Sequence, residues 1–484
     1  MGRDAGDKVI DQSWTGNGSG RRYAPENIKK RSSLPLQVLL GVLVVVFLAS
    51  LAVNGATIGS VVLALFFGAI FLVIAPKISP PEHAHWLPMA IAAGFVAKMI
   101  ASGARYWVLI NLYHGVGDAT GYHGKGLRAA DVWRSLTVPE IGTGTDFMAP
   151  VTGLLYVPYK PTMLGGFFIY ATLAFVGQIF MLFAFRHVAS PLRLKWYAAG
   201  VLFMPTMLYW PASIGKEALM FLFIGPVAYG AARLLAEYRL RWGIPILIGL
   251  GGAGVVRPHI ALLLAGALVF SVAVARAPRV TARVGKRVLL LGVAGVVMAG
   301  ALFAVSSRFG LDFSAGISAE SLTEEIDPFL SDLGERTDTG GSAVEGSVIS
   351  SPADVPEALL RVLFRPLPWE ATNIQTMAAA VEGGFLLAVF VIRLPAIIMN
   401  LRYLRRRAYA LFSLVYVAGF VYAFSAMVNL GILTRQRAQV MPFLLAFLAD
   451  MGIRDKVRKK KLAQLEASPK IPAPVGSGLF GYGL

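Results

Sequence analysis

The sequence predicts an all-α fold: a polytopic integral membrane protein of about 12 transmembrane helices with two large extracytoplasmic loops. Composition comes first. Of 484 residues, 56% are hydrophobic and 15% charged, and mean hydropathy is +0.64; a soluble domain needs only one apolar face per element. Second, the apolar residues come in runs close to the length that crosses a bilayer as helix. Third, the cations sort into alternate links, as the positive-inside rule requires.

Residues 1–34 are polar, Gly-rich and basic (Arg21, Arg22, Lys29, Lys30, Arg31). They read as a disordered cytoplasmic tail with no cleavable signal. Residues 35–450 form the membrane domain, with spans near 35–53, 57–76, 87–112, 165–185, 196–210, 217–235, 243–256, 258–275, 287–306, 375–396, 408–428 and 437–450. An even number of crossings puts both termini on one side. Arg186 to Lys195, Arg239–Arg241, Arg276 to Arg287, Arg402 to Arg407 and the Arg454–Lys461 tail then lie inside with the amino terminus. The outer loops are 113–164, where a short helix is expected around Ala129–Leu136, and the acidic 307–374. Residues 451–484 are a basic, then Pro/Gly-rich, cytoplasmic tail. No internal repeat is visible.

Two spans are short. Residues 196–210 and 243–256 rise only about 21 Å as helix against a hydrocarbon core of about 30 Å. Each runs straight into a polar turn, Pro211 to Glu217 or Arg257-Pro258-His259. Non-helical backbone at membrane depth is tolerated only where protein buries it or water reaches it. Both turns are therefore expected on the wall of one outward-facing cavity, with ordinary caps and snorkelling cations as the alternative.

Ionisable groups on the outer side are the candidates for function, because loops that only orient a chain need none there. Asp118 opens the first outer loop in Gly117-Asp118-Ala-Thr-Gly121-Tyr122-His123. A carboxylate there suits a general base toward a sugar hydroxyl, or a ligand to Mg or Mn. His114 and His123 lack the spacing of a zinc site. Lys216 and Glu217 stand at a helix start; Glu217 suits the positive helix end, while Lys216 calls for an anion such as lipid phosphate. Arg257, Arg435 and Arg437 add cations against the positive-inside bias, and guanidinium groups grip phosphate in two-point contacts. His259 shares the Arg257 turn. Arg365-Pro-Leu-Pro-Trp369-Glu370 offers an interfacial anchor or a sugar-stacking wall. Lys98, Arg105, Glu382 and Arg393 lie inside spans.

Several classes drop out. The formal net charge of +18 resides in tails and inner links, so nucleic acid is not the partner. With no cysteine there are no disulfides, thiolate metal sites or Cys nucleophiles. No P-loop or dinucleotide fingerprint is present, which disfavours nucleotide-fuelled chemistry. The remaining constellation asks for an anionic substrate that reaches the outer leaflet by itself, and a polyprenyl-phosphate-linked sugar is one.

The many spans, the early outer-loop motif (Asp118 with Tyr122), the short hairpins carrying Lys216–Glu217 and Arg257–His259, and the large late loop resemble the polytopic glycosyltransferases of the GT-C superfamily. They are similar, too, to O-antigen polymerases and ligases and exopolysaccharide polymerases. The resemblance covers most of 35–450. It implies a polyprenyl-phosphate or polyprenyl-diphosphate sugar donor, a glycan or lipid-linked acceptor, catalysis on the extracytoplasmic face, a carboxylate base, and arginines on the lipid phosphates. The lone Asp118 follows the third span, whereas GT-C members carry an acidic pair after the first; the late loop suits the polymerase and ligase pattern.

The expectation is a glycosyltransferase or glycan polymerase of a bacterial plasma membrane. Asp118 and Glu217 are its candidate catalytic carboxylates. Tyr122, His123, Lys216, Arg257, His259, Arg365, Trp369, Glu370, Arg435 and Arg437 are its candidate substrate contacts. No cofactor is required, and a divalent cation is optional. The rivals are a transporter or lipid-linked glycan flippase, which needs broken helices and a route to the inside, and a non-catalytic scaffold.

Overall fold

A computed structural model describes residues 56–189, 191–276, 351–371, 374–427 and 429–451, with isolated positions 292, 295, 300 and 349. The expected spans 35–53 and 287–306, most of loop 307–374 and both tails lie outside the described residues. Within the described residues the fold is all-helical, with no β-strand.

The chain begins with α1 (Ala56–Ile78) and α2 (Leu87–Asn111). A helical pair follows, α3 (Asp118–Arg134) and α4 (Met148–Tyr156), then α5 (Met163–Val188), α6 (Pro191–Phe203) and α7 (Pro205–Tyr209). Next are α8 (Lys216–Glu237), α9 (Gly243–Val256) and α10 (Pro258–Val274). After the undescribed stretch come α11 (Val355–Phe364), α12 (Ile374–Leu401), α13 (Ala408–Phe424), α14 (Leu430–Arg437) and α15 (Met441–Met451).

Among the described residues, five helices are long and apolar enough to cross a membrane: Ile58–Ile78, Leu87–Asn111, Met163–Val188, Lys216–Glu237 and Thr376–Leu401. Four more apolar helices are shorter, Leu240–Val256, Pro258–Val274, Ala408–Phe424 and Met441–Met451. The chain is thus a helical protein with several membrane-compatible spans. Outward faces suit lipid, with Ile58, Leu65, Met89, Ile100, Phe385 and Ile392 all exposed.

The centre is the α5–α8 pair, which glycines bring into backbone contact. A Cβ on Gly177 would lie 2.0 Å from the Phe221 carbonyl oxygen, and one on Gly225 would lie 2.5 Å from that of Gly177. Small residues give membrane helices this close approach, which replaces the solvent-driven packing unavailable in lipid.

Three expectations change. The span 196–210 is not one helix: Met204 is extended (φ −64°, ψ 137°), and Pro205 starts a separate short helix. Pro cannot donate to the preceding turn and pushes its predecessor out of the helical region, so the run breaks there. The span 437–450 is a continuous helix only from Met441, after a turn that follows α14. The outer-loop helix begins at Asp118, well before 129.

The break is held from three sides. Lys98, Ser102 and Arg105 recur at helical spacing on one face of α2 and donate to the carbonyls of α7 and of the turn that follows it. Lys98 Nζ reaches Met207 O at 2.7 Å, Ser102 Oγ reaches Ala212 O at 2.8 Å, and Arg105 reaches Tyr209 O and Trp210 O at 3.1 and 2.9 Å. Gln178 of α5 donates to Val201 O at 2.7 Å, and Glu382 of α12 accepts the Thr206 amide at 2.7 Å. Freed backbone groups in an apolar setting need such partners.

The described basic links meet at one end. Arg186 approaches Glu82 at 3.9 Å, while His187 and Arg241 approach Glu237 at 3.4 and 3.6 Å. Arg193 and Arg407 share Asp450 at 2.6 and 3.3 Å, and the Arg276 amide donates to Arg405 O at 2.7 Å. The polar turns after α2, α7, α9 and α13 gather at the other end.

Candidate functional site

The site is built where α2 turns into α3. Residues His114 and Gly115 take the left-handed region (φ 49° and 76°), and Thr120 ties the turn down by donating to Gly115 O at 2.6 Å. Glycine at 115 adopts that conformation without a Cβ clash. Asp118 becomes the first residue of α3, where a carboxylate suits the helix dipole.

Glu217, in the first turn of α8, is the hub. Its side chain is 2% exposed, and its Oε1 accepts from Arg257 at 2.7 Å and from Arg435 Nε at 2.6 Å. The other face of Arg435 donates through Nη2 to Asp118 Oδ2 at 3.2 Å. Lys216 points elsewhere and donates to Thr145 Oγ1 at 2.7 Å. The loop carrying Thr145 is pinned to the end of α9 by Gly144 N donating to Val255 O at 2.8 Å. Asp118, Glu217, Lys216, Arg257 and Arg435 therefore converge, from four helices and across most of the sequence.

A cavity of about 170 Å³ opens beside them, bounded by Arg105, Tyr113, Asp118, Tyr209, Trp210, Ser213, Glu217 and Arg435. It is room for several water-sized groups. Arg105 sits over the Tyr209 and Trp210 rings at 5.2 and 5.0 Å, a cation–π arrangement that orients the guanidinium. Arg105 and Arg435 line the cavity with the carboxylates of Asp118 and Glu217. Guanidinium groups so placed suit an anion.

Other candidates lie elsewhere. Arg437 was expected beside Arg435, yet residues two apart on a helix do not share a face. It is fully buried and donates to Leu363 O and Arg365 O, both at 2.9 Å. Arg365 pairs with Glu370, and Trp369 is 80% exposed away from the cavity. Burial works to raise the Glu370 carboxyl, but the hydrogen bond from Arg365, with that from the Leu367 amide, outweighs it and holds the group below the usual range. His259 packs on Phe424, ring centroids 5.8 Å apart.

Tyr122 and His123 lie in α3 just past Asp118. Burial, then the Asp118 and Glu217 carboxylates, push the Tyr122 hydroxyl above its usual value. His123 contacts the Tyr156 hydroxyl at 3.1 Å, and burial holds its imidazole below the usual value. Arg257 joins the cluster but does not line the cavity; it reaches it through Glu217.

Arg105, Tyr113, Tyr209, Trp210 and Thr145 are site residues that the outer-loop motifs miss. For Arg105 a signal existed, the spacing of Lys98, Ser102 and Arg105 on one face of an apolar helix. Among the described residues no group of three or more His, Asp or Glu gathers as a metal site.

No known family, no curated protein and no solved structure matches the chain.

Proposed function

We propose that the chain is an extracytoplasmic-facing membrane glycosyltransferase or glycan polymerase. It would take a polyprenyl-phosphate-linked sugar as donor and serve cell-envelope polysaccharide synthesis in a bacterial plasma membrane, with both termini cytoplasmic. One observation carries the reading: a solvent-reachable carboxylate, Asp118, shares a cavity with Arg105 and Arg435 at one end of the helical bundle. That pairs a proton acceptor with a phosphate-binding surface.

In the proposed reaction the acceptor hydroxyl oxygen attacks the anomeric carbon of the donor. The bond between that carbon and the phosphate oxygen breaks with its electron pair leaving on phosphate. Asp118 takes the hydroxyl proton. Arg435 and Arg105 stabilise the charge that develops on the leaving phosphate; a preorganised donor of this kind is worth about 10²–10³ in rate. Glu217 holds Arg257 and Arg435 in place, its Oε1 taken up by both guanidinium groups. A divalent cation between Asp118 and the phosphate is compatible with this scheme and is not needed for charge balance.

The test is transfer by purified protein in liposomes containing a polyprenyl-phosphate-linked sugar and a glycan acceptor. Transfer by the wild type that is lost in Asp118→Asn supports the reading, and full transfer by Asp118→Asn removes the base. Among the described residues, the broken helix α6–α7 is a feature that favours a transporter or flippase. Movement of the labelled lipid-linked sugar between leaflets without any transfer would select that alternative.

A further inference from the structure

A guanidinium offers five N–H groups in a rigid planar fork. Arg435 divides its fork between unequal partners. Nε meets Glu217 at 2.6 Å, and the Glu217 side chain is 2% exposed. Nη2 meets Asp118 at 3.2 Å, and the Asp118 side chain is 60% exposed. The first contact has the length of a strong charge-assisted hydrogen bond, and the second is longer than such bonds usually are. A solvent-exposed ion pair is worth at most about fivefold in an equilibrium. The Asp118 side of the fork is the side that opens.

We infer that Asp118 is the displaceable counter-ion of Arg435: an incoming phosphate or diphosphate headgroup takes the Nη2 edge of the guanidinium and sets the carboxylate free. Glu217 is the fixed pivot. Its bond to Nε does not depend on Asp118, and Arg257 anchors the same Glu217 oxygen from the far side at 2.7 Å. Arg435 therefore stays oriented while its outer partner is exchanged. The bound anion also meets Arg105, which lines the same cavity.

The inference rests on the reading in which Asp118 is the base, and it adds an order of events. Paired with Arg435, the carboxylate has its Oδ2 taken up by the Nη2 hydrogen bond. Donor binding unpairs it. The acceptor hydroxyl is then activated only when the leaving group is already in place, so an empty site carries no armed base.

The test is a double-mutant cycle on binding, with geranylgeranyl phosphate and inorganic phosphate as separate probes. Asp118→Asn should tighten geranylgeranyl phosphate binding by up to about fivefold, because the competing partner is gone. In an Arg435→Gln background, Asp118→Asn should change binding little, since there is no pair to release. Arg435→Lys, which keeps a cation beside Glu217, repeats the comparison should the Gln variant not fold. The same tightening in both backgrounds would mean simple charge repulsion and would overturn the latch, as would weaker binding by Asp118→Asn. The effect with both probes assigns the site to phosphate itself, whereas the effect with the lipid probe alone assigns it to a lipid headgroup; either supports exchange at Arg435. Binding without the cycle effect sinks the latch and leaves the proposed function standing. No binding of either probe to any variant would overturn both.

Discussion

Replacing Glu217 by Gln isolates what the hub does. The carboxylate is fully buried, and a single oxygen accepts from two guanidinium groups at 2.6 and 2.7 Å. The amide preserves the shape, can still accept one of these bonds through its oxygen, and has no charge. Arg257, whose side chain is 7% exposed, is then a buried cation without a counter-charge. Breaking a buried pair by removing one partner costs about 3–5 kcal/mol, most of it from the abandoned charge. Asp118→Asn removes a pair whose carboxylate is 60% exposed, which is worth about 0.2–1 kcal/mol. The two substitutions should therefore differ by about 2–4 kcal/mol in stability, with Glu217→Gln the weaker protein. The assay is unfolding of both purified variants in the same detergent, read by helix signal and by protease resistance. Adding Arg257→Gln to Glu217→Gln should restore part of the loss, because it removes the abandoned charge. A Glu217→Gln protein as stable as wild type and inactive in transfer would refute the reasoning and make Glu217 a catalytic group.

Further outcomes follow from the same contacts. Asp118→Asn should keep the fold while transfer falls by about 10²–10⁴, as expected for loss of a general base and measured by product formed from the lipid-linked sugar. Gly177→Ala should destabilise by about 1–3 kcal/mol or more, because its Cβ would lie 2.0 Å from the Phe221 carbonyl oxygen and the α5–α8 crossing must open; thermal unfolding checks it. His123, whose imidazole burial holds below its usual value, is neutral in the folded state and takes a proton more readily unfolded. Its contribution is thus fully present above the unfolded value of about 6.5 and is lost as pH falls below it, so melting temperature should drop from pH 7.5 to 5.5 and drop less in His123→Gln.

Hydropathy located the long described helices, such as Leu87–Asn111 and Met163–Val188, because length in a bilayer is read directly from apolar runs. Gly243–Val256 and Pro258–Val274 lie where their runs and Pro258 put them. The break at Met204 escaped that reading since both sides are equally apolar, and only Pro205 marks it. The two polar turns meet through Glu217 and Arg257, although the span 196–210, whose shortness suggested a meeting, is two helices. Pair identities were not: Glu217 finds Arg257 40 positions away and Arg435 218 positions away, distances over which no local pattern speaks. Adjacent or near-adjacent residues were the commonest trap. Lys216 and Glu217, like Arg435 and Arg437, are neighbours in the chain that point to different faces of their helices. Arg365 and Trp369 carried the right chemistry for a sugar site, but the first is taken up by Glu370 and the second faces away from the cavity.

The most direct measurement is an experimental structure of the protein in lipid with a non-hydrolysable polyprenyl-phosphate sugar bound. The account predicts the phosphate on Arg435 beside Arg105, the anomeric carbon turned toward Asp118, and the Asp118 carboxylate released from the guanidinium. A phosphate bound at the opposite end of the bundle, near Arg193 and Asp450, or a headgroup with no contact to Arg435, would contradict it.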